Sequence, residues 1–363
     1  MNHHMSEAYI ENQKSRRVFG LLLAGMVCLL LVSIVISMSF GSMKIAPSHT
    51  YGILLEKLFG IRLDESLTGR ISEVNIIWEI RFPRVLLGAA VGAGLSLCGM
   101  AMQAAVQNPL AEPYILGISS GASLGATFSI MLGIGSLSWI SINGSSFWGF
   151  AGALGAAFCV LMLASAGSKM TSSKLVLSGT VVNALCNALS NFIIFMAVDA
   201  QGMQSVKFWT MGSLAGAKWK NIPFPVILTF LCVLIFLSQY RTLNALLLGD
   251  EAAVTLGIPV ARYRRVYMVL SSLLTGVLVA YCGIIGFVGL IIPHITRAVA
   301  GADHRRMTPL CAVGGAIFMI WADTFARIAV KNSELPIGIV TALIGAPFFV
   351  YILIRKSYNF REG

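Results

Sequence analysis

The chain has 363 residues, of which 57% are hydrophobic and only 11% are charged, and its mean hydropathy is +0.82. Soluble domains carry about twice that share of charged residues, so the composition excludes a soluble or secreted enzyme. A net charge of +11 would suggest nucleic acid as a partner of a soluble chain. Here the basic residues lie between apolar runs, where membrane orientation accounts for them, and no nucleic-acid partner is expected.

Apolar runs of about 20 residues predict membrane-spanning helices. The predicted spans are 18–40, 85–106, 114–133, 147–166, 175–198, 222–239, 266–282, 287–300, 308–328 and 336–354. The first run is too long for a signal-peptide core and lacks a cleavage site, so it is predicted to remain as a helix. The expected fold is an all-α polytopic membrane protein with about ten helices in one bundle.

Lysine and arginine placement predicts the orientation of the bundle. With the N-terminus in the cytoplasm, the inner segments are a tail at 1–17, the breaks 107–113, 167–174 and 301–307, a loop at 240–265 and a C-terminal tail at 355–363. Most arginines outside the spans then lie inside. The longest outer loop is expected at 41–84.

Several chemistries have no sequence support. The seven cysteines lie in apolar runs without ligand spacing, which indicates packing residues and no metal site. No Gly-Lys pair occurs, so the chain lacks a phosphate-binding loop, and any ATP must be hydrolysed by another chain. No cofactor is expected here. An ion-coupled transporter remains an alternative, disfavoured by the scarcity of ionisable groups in the spans.

The motifs R-F-P-R at 81–84, N-P-L-A-E-P at 108–113 and G-I-S-S-G-A at 117–122 resemble the FecCD-type permease subunits of ATP-driven bacterial importers. The resemblance resumes at G-I-I-G-F-V-G-L-I-I-P-H-I-T-R, 283–297, and at E-L-P-I-G-I-V-T-A-L-I-G-A-P, 334–347. It implies a fold like that of the vitamin B12 permeases and a place in the bacterial cytoplasmic membrane. The implied cargo is a metal chelate, with an iron(III)–siderophore preferred and haem or cobalamin as alternatives.

The same resemblance implies partners: two ATP-binding subunits, a second permease chain of the same or a related sequence, and an extracytoplasmic substrate-binding protein. A short segment, Leu248–Pro259, has an acidic start and ends at Gly257, and it is too short to span a membrane. It is either a solvated interfacial helix or, as the resemblance implies, the helix that couples to the ATPase. The candidate coupling residues are Gly249, Asp250, Glu251, Ala252, Ala253, Leu256 and Gly257.

Three arginines, Arg81, Arg84 and Arg327, are predicted on the outer side, against the usual charge bias. By resemblance they are docking points for acidic residues of the binding protein. The alternative is local: Asp323 and Arg327 are four residues apart on one helix and can pair, and Arg81 can pair with Glu79 or extend towards the membrane surface.

The residues Asn108, Ser172 and Ser173 match the family's cytoplasmic gate. Helix capping is the alternative use of such side chains, and both uses are compatible. The segment Gly117–Gly121 also matches G-x-S-x-G, which with His294 would describe an intramembrane serine hydrolase. That motif needs a strand-to-helix turn, whereas here it begins a predicted membrane helix, so no catalytic residue is expected.

Overall fold

The computed structural model describes residues 2–41, 43–61, 69–134, 144–167, 170–197, 199–331 and 333–355. Helices make up most of these residues, and no strand occurs among them; an isolated bridge joins Val330 and Ser333. The predicted all-α class is therefore confirmed. Most of the predicted C-terminal tail, 356–363, lies outside the described residues.

Up to residue 211, the described helices are α1 (Asn2–Ser39), α2 (Pro47–Phe59), α3 (Ile71–Asn75), α4 (Phe82–Val106), α5 (Ile118–Met131), α6 (Gly144–Ser165), α7 (Ser172–Ala197) and α8 (Ala200–Thr210). A π-helical turn, Ile76–Arg81, joins α3 to α4, and a 3-10 turn, Pro113–Leu116, precedes α5. The later helices are α9 (Pro223–Ser238), α10 (Tyr240–Leu247), α11 (Asp250–Thr255), α12 (Val260–Cys282), α13 (Val288–Ala300), α14 (His304–Ile328) and α15 (Ile337–Arg355).

Each of the ten predicted apolar segments coincides with a helix. Within the described ranges, six stretches are long and apolar enough to cross a membrane: Arg17–Ser39, Ile71–Val106, Gly144–Ser165, Ser172–Ala197, Val260–Cys282 and His304–Ile328. Helices α9 and α10, bent by 64° at their junction, make a seventh if the pair counts as one span. The predicted spans 114–133 and 287–300 are shorter helices of 14 and 13 residues, which reach across only part of a bilayer.

Helix α4 lies at the centre of the bundle, and almost all of its side chains are buried. Gly92 packs on the backbone of Gly315 in α14, and Gly99 packs on that of Gly289 in α13. A Cβ at Gly92 or Gly99 would collide with a carbonyl oxygen of its neighbour. Small residues let membrane helices approach in this way, because lipid provides no hydrophobic force that drives helices together.

The segment 41–84, predicted as the longest outer loop, contains helices, and its side of the membrane stays a prediction. Pro47 begins α2 and Gly60, in a left-handed conformation with φ +70°, ends it, while Ile53 and Leu54 are buried. From Ile71 onward the chain is helical through to Val106. The charged residues of this region obscured the helical pattern, although proline and glycine mark the ends of α2.

Two other segments predicted outside the spans are also helical. Residues 2–17 belong to α1, so the first helix begins before its apolar part. The predicted loop at 240–265 consists of α10, α11 and the first turns of α12. This compact arrangement fixes the candidate coupling segment relative to the end of α4.

Candidate functional site

Helix α11 is the predicted coupling helix, and the structure gives it sharp ends. Gly249 precedes it with φ +105° and Gly257 follows it with φ +80°, conformations that L side chains rarely adopt. Ala253 is fully buried, whereas Glu251 and the apolar side chains of Val254 and Leu256 are exposed. The helix therefore rests on the bundle by one face and presents a mixed apolar and acidic face outward.

Asp250 begins α11, but its carboxylate makes contacts beyond its own helix. Its Oδ1 accepts hydrogen bonds from Arg264 Nη2 at 2.9 Å and from Gln107 Nε2 at 2.6 Å. Arg264 belongs to α12, and Gln107 directly follows α4. We call Arg264, Asp250 and Gln107 the Arg264 network.

The three predicted gate residues lie together. Asn108, Ser172 and Ser173 line one open cavity of about 740 Å³, together with Val106, Gln107, Val176, Leu177 and Thr180. The capping alternative is not what Asn108 does: its Oδ1 accepts from the Leu110 N–H at 2.9 Å, which closes a turn in the irregular break and caps no helix. Sequence reasoning therefore grouped residues that share a cavity; their role in gating stays a prediction.

The three predicted docking arginines meet in a buried cluster that also contains Asp323 and Glu334. Arg84 forms ion pairs with Asp323 at 2.9 Å and with Glu334 at 2.8 Å. Arg327 pairs with Asp323 at 3.1 Å, which confirms the local pairing considered from sequence. We call Arg81, Arg84, Asp323, Arg327 and Glu334 the Arg84 network.

The Arg84 network also holds the end of α1. Arg81 donates to the backbone carbonyls of Met38 and Met43, and Arg327 donates to those of Ser37 and Phe40. All three arginines are buried, whereas 45% of the Glu334 side chain is exposed. The arginines are thus not free at a helix mouth, and their contact with a binding protein stays a prediction.

The G-x-S-x-G match occurs at a contact between helices. Ser120 Oγ is buried and donates to the carbonyl of Gly117, while Gly121 packs on the backbone of Gly152 in α6. His294 lies in α13, where its ring is edge-on to Phe348 at 6.3 Å between centroids. The segment is helical, so the turn that the hydrolase alternative requires is not formed here.

Sequence reasoning missed three participants: Arg264, Gln107 and Glu334. From sequence, Arg264 is one of several arginines that signal orientation, and Gln107 is only part of a polar break. Gln107 could have been identified from sequence because it is adjacent to the gate candidate Asn108. Among the described residues, no group of three or more histidine, cysteine or carboxylate side chains could hold a metal ion.

A membrane bundle with a protruding helix beside an open cavity is an architecture suited to a transport subunit. The FecCD transport family matches residues 29–355, and this chain belongs to that family of ATP-binding-cassette importer permeases. It is accordingly a multi-pass membrane protein.

Individual relatives cover most of the chain. One is a cobalamin import permease, BtuC, of Halobacterium salinarum, to which the chain is 41% identical over 280 residues. That alignment covers 77% of this chain and 73% of the relative. The chain is 36% identical to the vitamin B12 import permease BtuC of Klebsiella pneumoniae, over 96% of this chain and 97% of the relative. A solved inward-facing ABC transporter, assigned to the metal-chelate type, is 31% identical with a TM-score of 0.79 and covers 93% of this chain and 100% of that chain.

Proposed function

We propose that the chain is the membrane-spanning subunit through which an importer passes a bulky metal chelate. The observation that carries this proposal is the position of α11 beside the cavity lined by Asn108, Ser172 and Ser173. A short helix joined to a pore-lining segment is a means of converting movement of a partner into opening of a path. Two ATP-binding subunits, a second permease chain and an extracytoplasmic binding protein would complete the machine.

A corrinoid is the first cargo to test. The relatives from Halobacterium and Klebsiella carry cobalamin or vitamin B12 in their names, and the similar solved structure is of the metal-chelate type. The expected iron(III)–siderophore is the second candidate, because it is also a large metal chelate that needs passage rather than a tight site. The binding protein would then determine most of the selectivity.

In the proposed orientation, both termini and α11 lie in the cytoplasm, and the Arg84 network lies at the outer face. An acidic binding protein would approach Glu334 first, since that side chain is exposed while Arg84 lies behind it. Reversing the arginine charges would disrupt the buried cluster itself. Glu334 is therefore the residue with which docking should be tested.

The test is reconstitution of the chain with its co-purified ATPase and binding protein in liposomes, followed by uptake of radiolabelled cyanocobalamin or of a ferric siderophore. ATP-dependent uptake of one chelate is expected. Uptake that follows an ion gradient and persists without ATP would overturn the importer proposal and restore the ion-coupled alternative.

The role of α11 is tested by Gly257→Leu, with Gly20→Leu in α1 as the matched control. Both glycines have open space around them, but only Gly257 has a positive φ, so a side chain there distorts the end of α11. We expect Gly257→Leu to insert normally and lose uptake, and Gly20→Leu to transport normally. Normal uptake by Gly257→Leu would contradict a coupling role.

A further inference from the structure

Arg264 is a charged residue with only 1% of its surface exposed, at the start of α12. Burial of a guanidinium is costly unless its donors are occupied. Of the fully buried side chains it is among the largest. Membrane orientation does not explain this burial, because an exposed arginine would orient the chain equally well.

The donors of Arg264 reach three separate segments. Nε donates to the carbonyl of Ala105 at 2.6 Å, and Nη1 donates to that of Met170 at 3.3 Å. Nη2 donates to the Asp250 carboxylate at 2.9 Å. One planar group thus contacts the end of α4, the segment before α7 and the first residue of α11.

Two of these segments lead directly into the cavity. Ala105 is three residues before Asn108, and Met170 is two residues before Ser172. The third contact, Asp250, belongs to the helix proposed to meet the ATPase. The carboxylate of Asp250 is half exposed, so the pair joins a buried arginine to a helix at the surface.

Gln107 provides a second connection between the same parts. Its backbone is left-handed, with φ +53°, a conformation that is uncommon for a residue other than glycine. Its side chain donates to Asp250 Oδ1 and, at 3.1 Å, to the carbonyl of Leu246 at the end of α10. The residue next to gate candidate Asn108 is thereby bonded to both sides of the α10–α11 junction.

We propose that Arg264 is the positioning residue that transmits movement of α11 to both segments lining the cavity. This inference rests on the proposed function and specifies its internal connection. Because the guanidinium is planar, a displacement of Asp250 reorients all of its donors together, so Ala105 and Met170 move in concert. Lysine, with a single ammonium on a flexible stem, lacks this fixed fork.

The test compares Arg264→Lys with Arg265→Lys. Arg265 is exposed, and its Nε bonds only locally, to the carbonyl of Ala261. Ser173→Cys, in a background where exposed Cys28 and Cys159 are replaced by serine, reports the state of the cavity by its rate of modification with a charged maleimide. The readouts are this rate with and without ATP and vanadate, the ATP hydrolysis rate of the complex, and uptake.

We expect Arg264→Lys to assemble and hydrolyse ATP within about twofold of the parent. Uptake should fall about tenfold, because a lysine ammonium keeps the charge but lacks the planar fork that joins Asp250 to both carbonyls. The nucleotide-dependent change in the modification rate of the Ser173→Cys thiol should disappear when Arg264→Lys is added and persist when Arg265→Lys is added. A purely structural role would lower assembly, hydrolysis and uptake together, and that result would overturn the proposal.

Gln107→Gly gives a second test if Arg264→Lys does not fold. Glycine suits the left-handed backbone but removes both side-chain bonds, so uptake should fall while thermal stability is kept. A parental complex without any nucleotide response would overturn the proposed function itself. A parental response that is retained in both variants would overturn only the role of Arg264 and Gln107.

Discussion

The Arg84 and Arg264 networks lie at opposite ends of α4, a 25-residue helix about 37 Å long. In the Arg84 network, Asp323 is buried between two arginines, and every arginine bonds to a packed neighbour. In the Arg264 network only the cation is buried, and half of the Asp250 side chain faces solvent. A pair buried on both sides holds helices in place, whereas a pair exposed on one side can follow a moving surface helix.

The largest expected effect is on thermal stability, and it tests whether the Arg84 network holds helices in place. Asp323→Ala leaves Arg84 and Arg327 buried without their shared carboxylate, and loss of one partner of a buried pair costs about 3–5 kcal/mol. We expect a large fall in thermal stability in detergent and little folded protein. Glu334→Ala is the control, and its exposed side chain predicts a loss of about 0–1 kcal/mol. Equal effects of the two variants would contradict the distinction.

The second prediction addresses the opposite end. Asp250→Asn keeps the shape of the side chain and weakens its charge-assisted bonds with Arg264. Because the carboxylate is half exposed, the stability loss should be about 1 kcal/mol or less, while ATP-driven uptake falls about tenfold. Thermal unfolding and uptake in proteoliposomes measure the two quantities. A stability loss as large as that of Asp323→Ala would mean that the Arg264 network, like the Arg84 network, serves to hold the helices together.

A smaller effect is expected for docking at the Arg84 network. If a carboxylate of the binding protein competes with Glu334 for Arg84, Glu334→Gln should tighten docking by a few-fold, about 0.5–1 kcal/mol, most clearly at low salt. Affinity of the purified binding protein for the nanodisc-embedded complex, titrated against sodium chloride, measures this. Weaker docking would show that Glu334 attracts the partner instead.

The smallest effect concerns a carboxyl group in the break between α4 and α5. Burial raises the pKa of Glu112 to about 7, although a hydrogen bond from the backbone N–H of Phe287 lowers it in part. A folded-state pKa above the unfolded value means that stability is greatest at low pH and declines as pH rises through about 7. We expect the melting temperature to fall from pH 6 to pH 8, and to fall less in Glu112→Gln. An identical pH dependence would remove Glu112 as its cause.

Much of the fold was predictable because lipid imposes simple rules. Long apolar runs must become helices, and Gly92, Gly99 and Gly121 mark where those helices touch. The segment 41–84 escaped this reasoning, since α2 and α3 lie outside the apolar pattern. The helical form of α2 depends on Pro47 at its first position, on Gly60 at its end and on the burial of Ile53 and Leu54.

The candidate site was predictable only where a motif was local. The boundaries of α11 followed from Asp250 and Gly257, and the gate residues from their polar breaks. The partners of Arg264 are 14, 94 and 159 residues away, and no local pattern records such distances. Gln107 was hidden for another reason: a left-handed residue at a helix end is usually glycine or asparagine.

The bonds between α1 and Arg327 have a consequence for how the protein is made. Ser37 and Phe40 precede Arg327 by 290 and 287 residues, so at about 5–20 residues per second their partner is synthesised roughly 15 to 60 s later. During that interval α1 must remain in the bilayer without its final contacts. Its apolar window has the highest hydropathy of the six spans, 2.9, with only 6% buried. The first helix is thus apolar enough to remain in lipid until α14 is synthesised and Arg327 bonds to it.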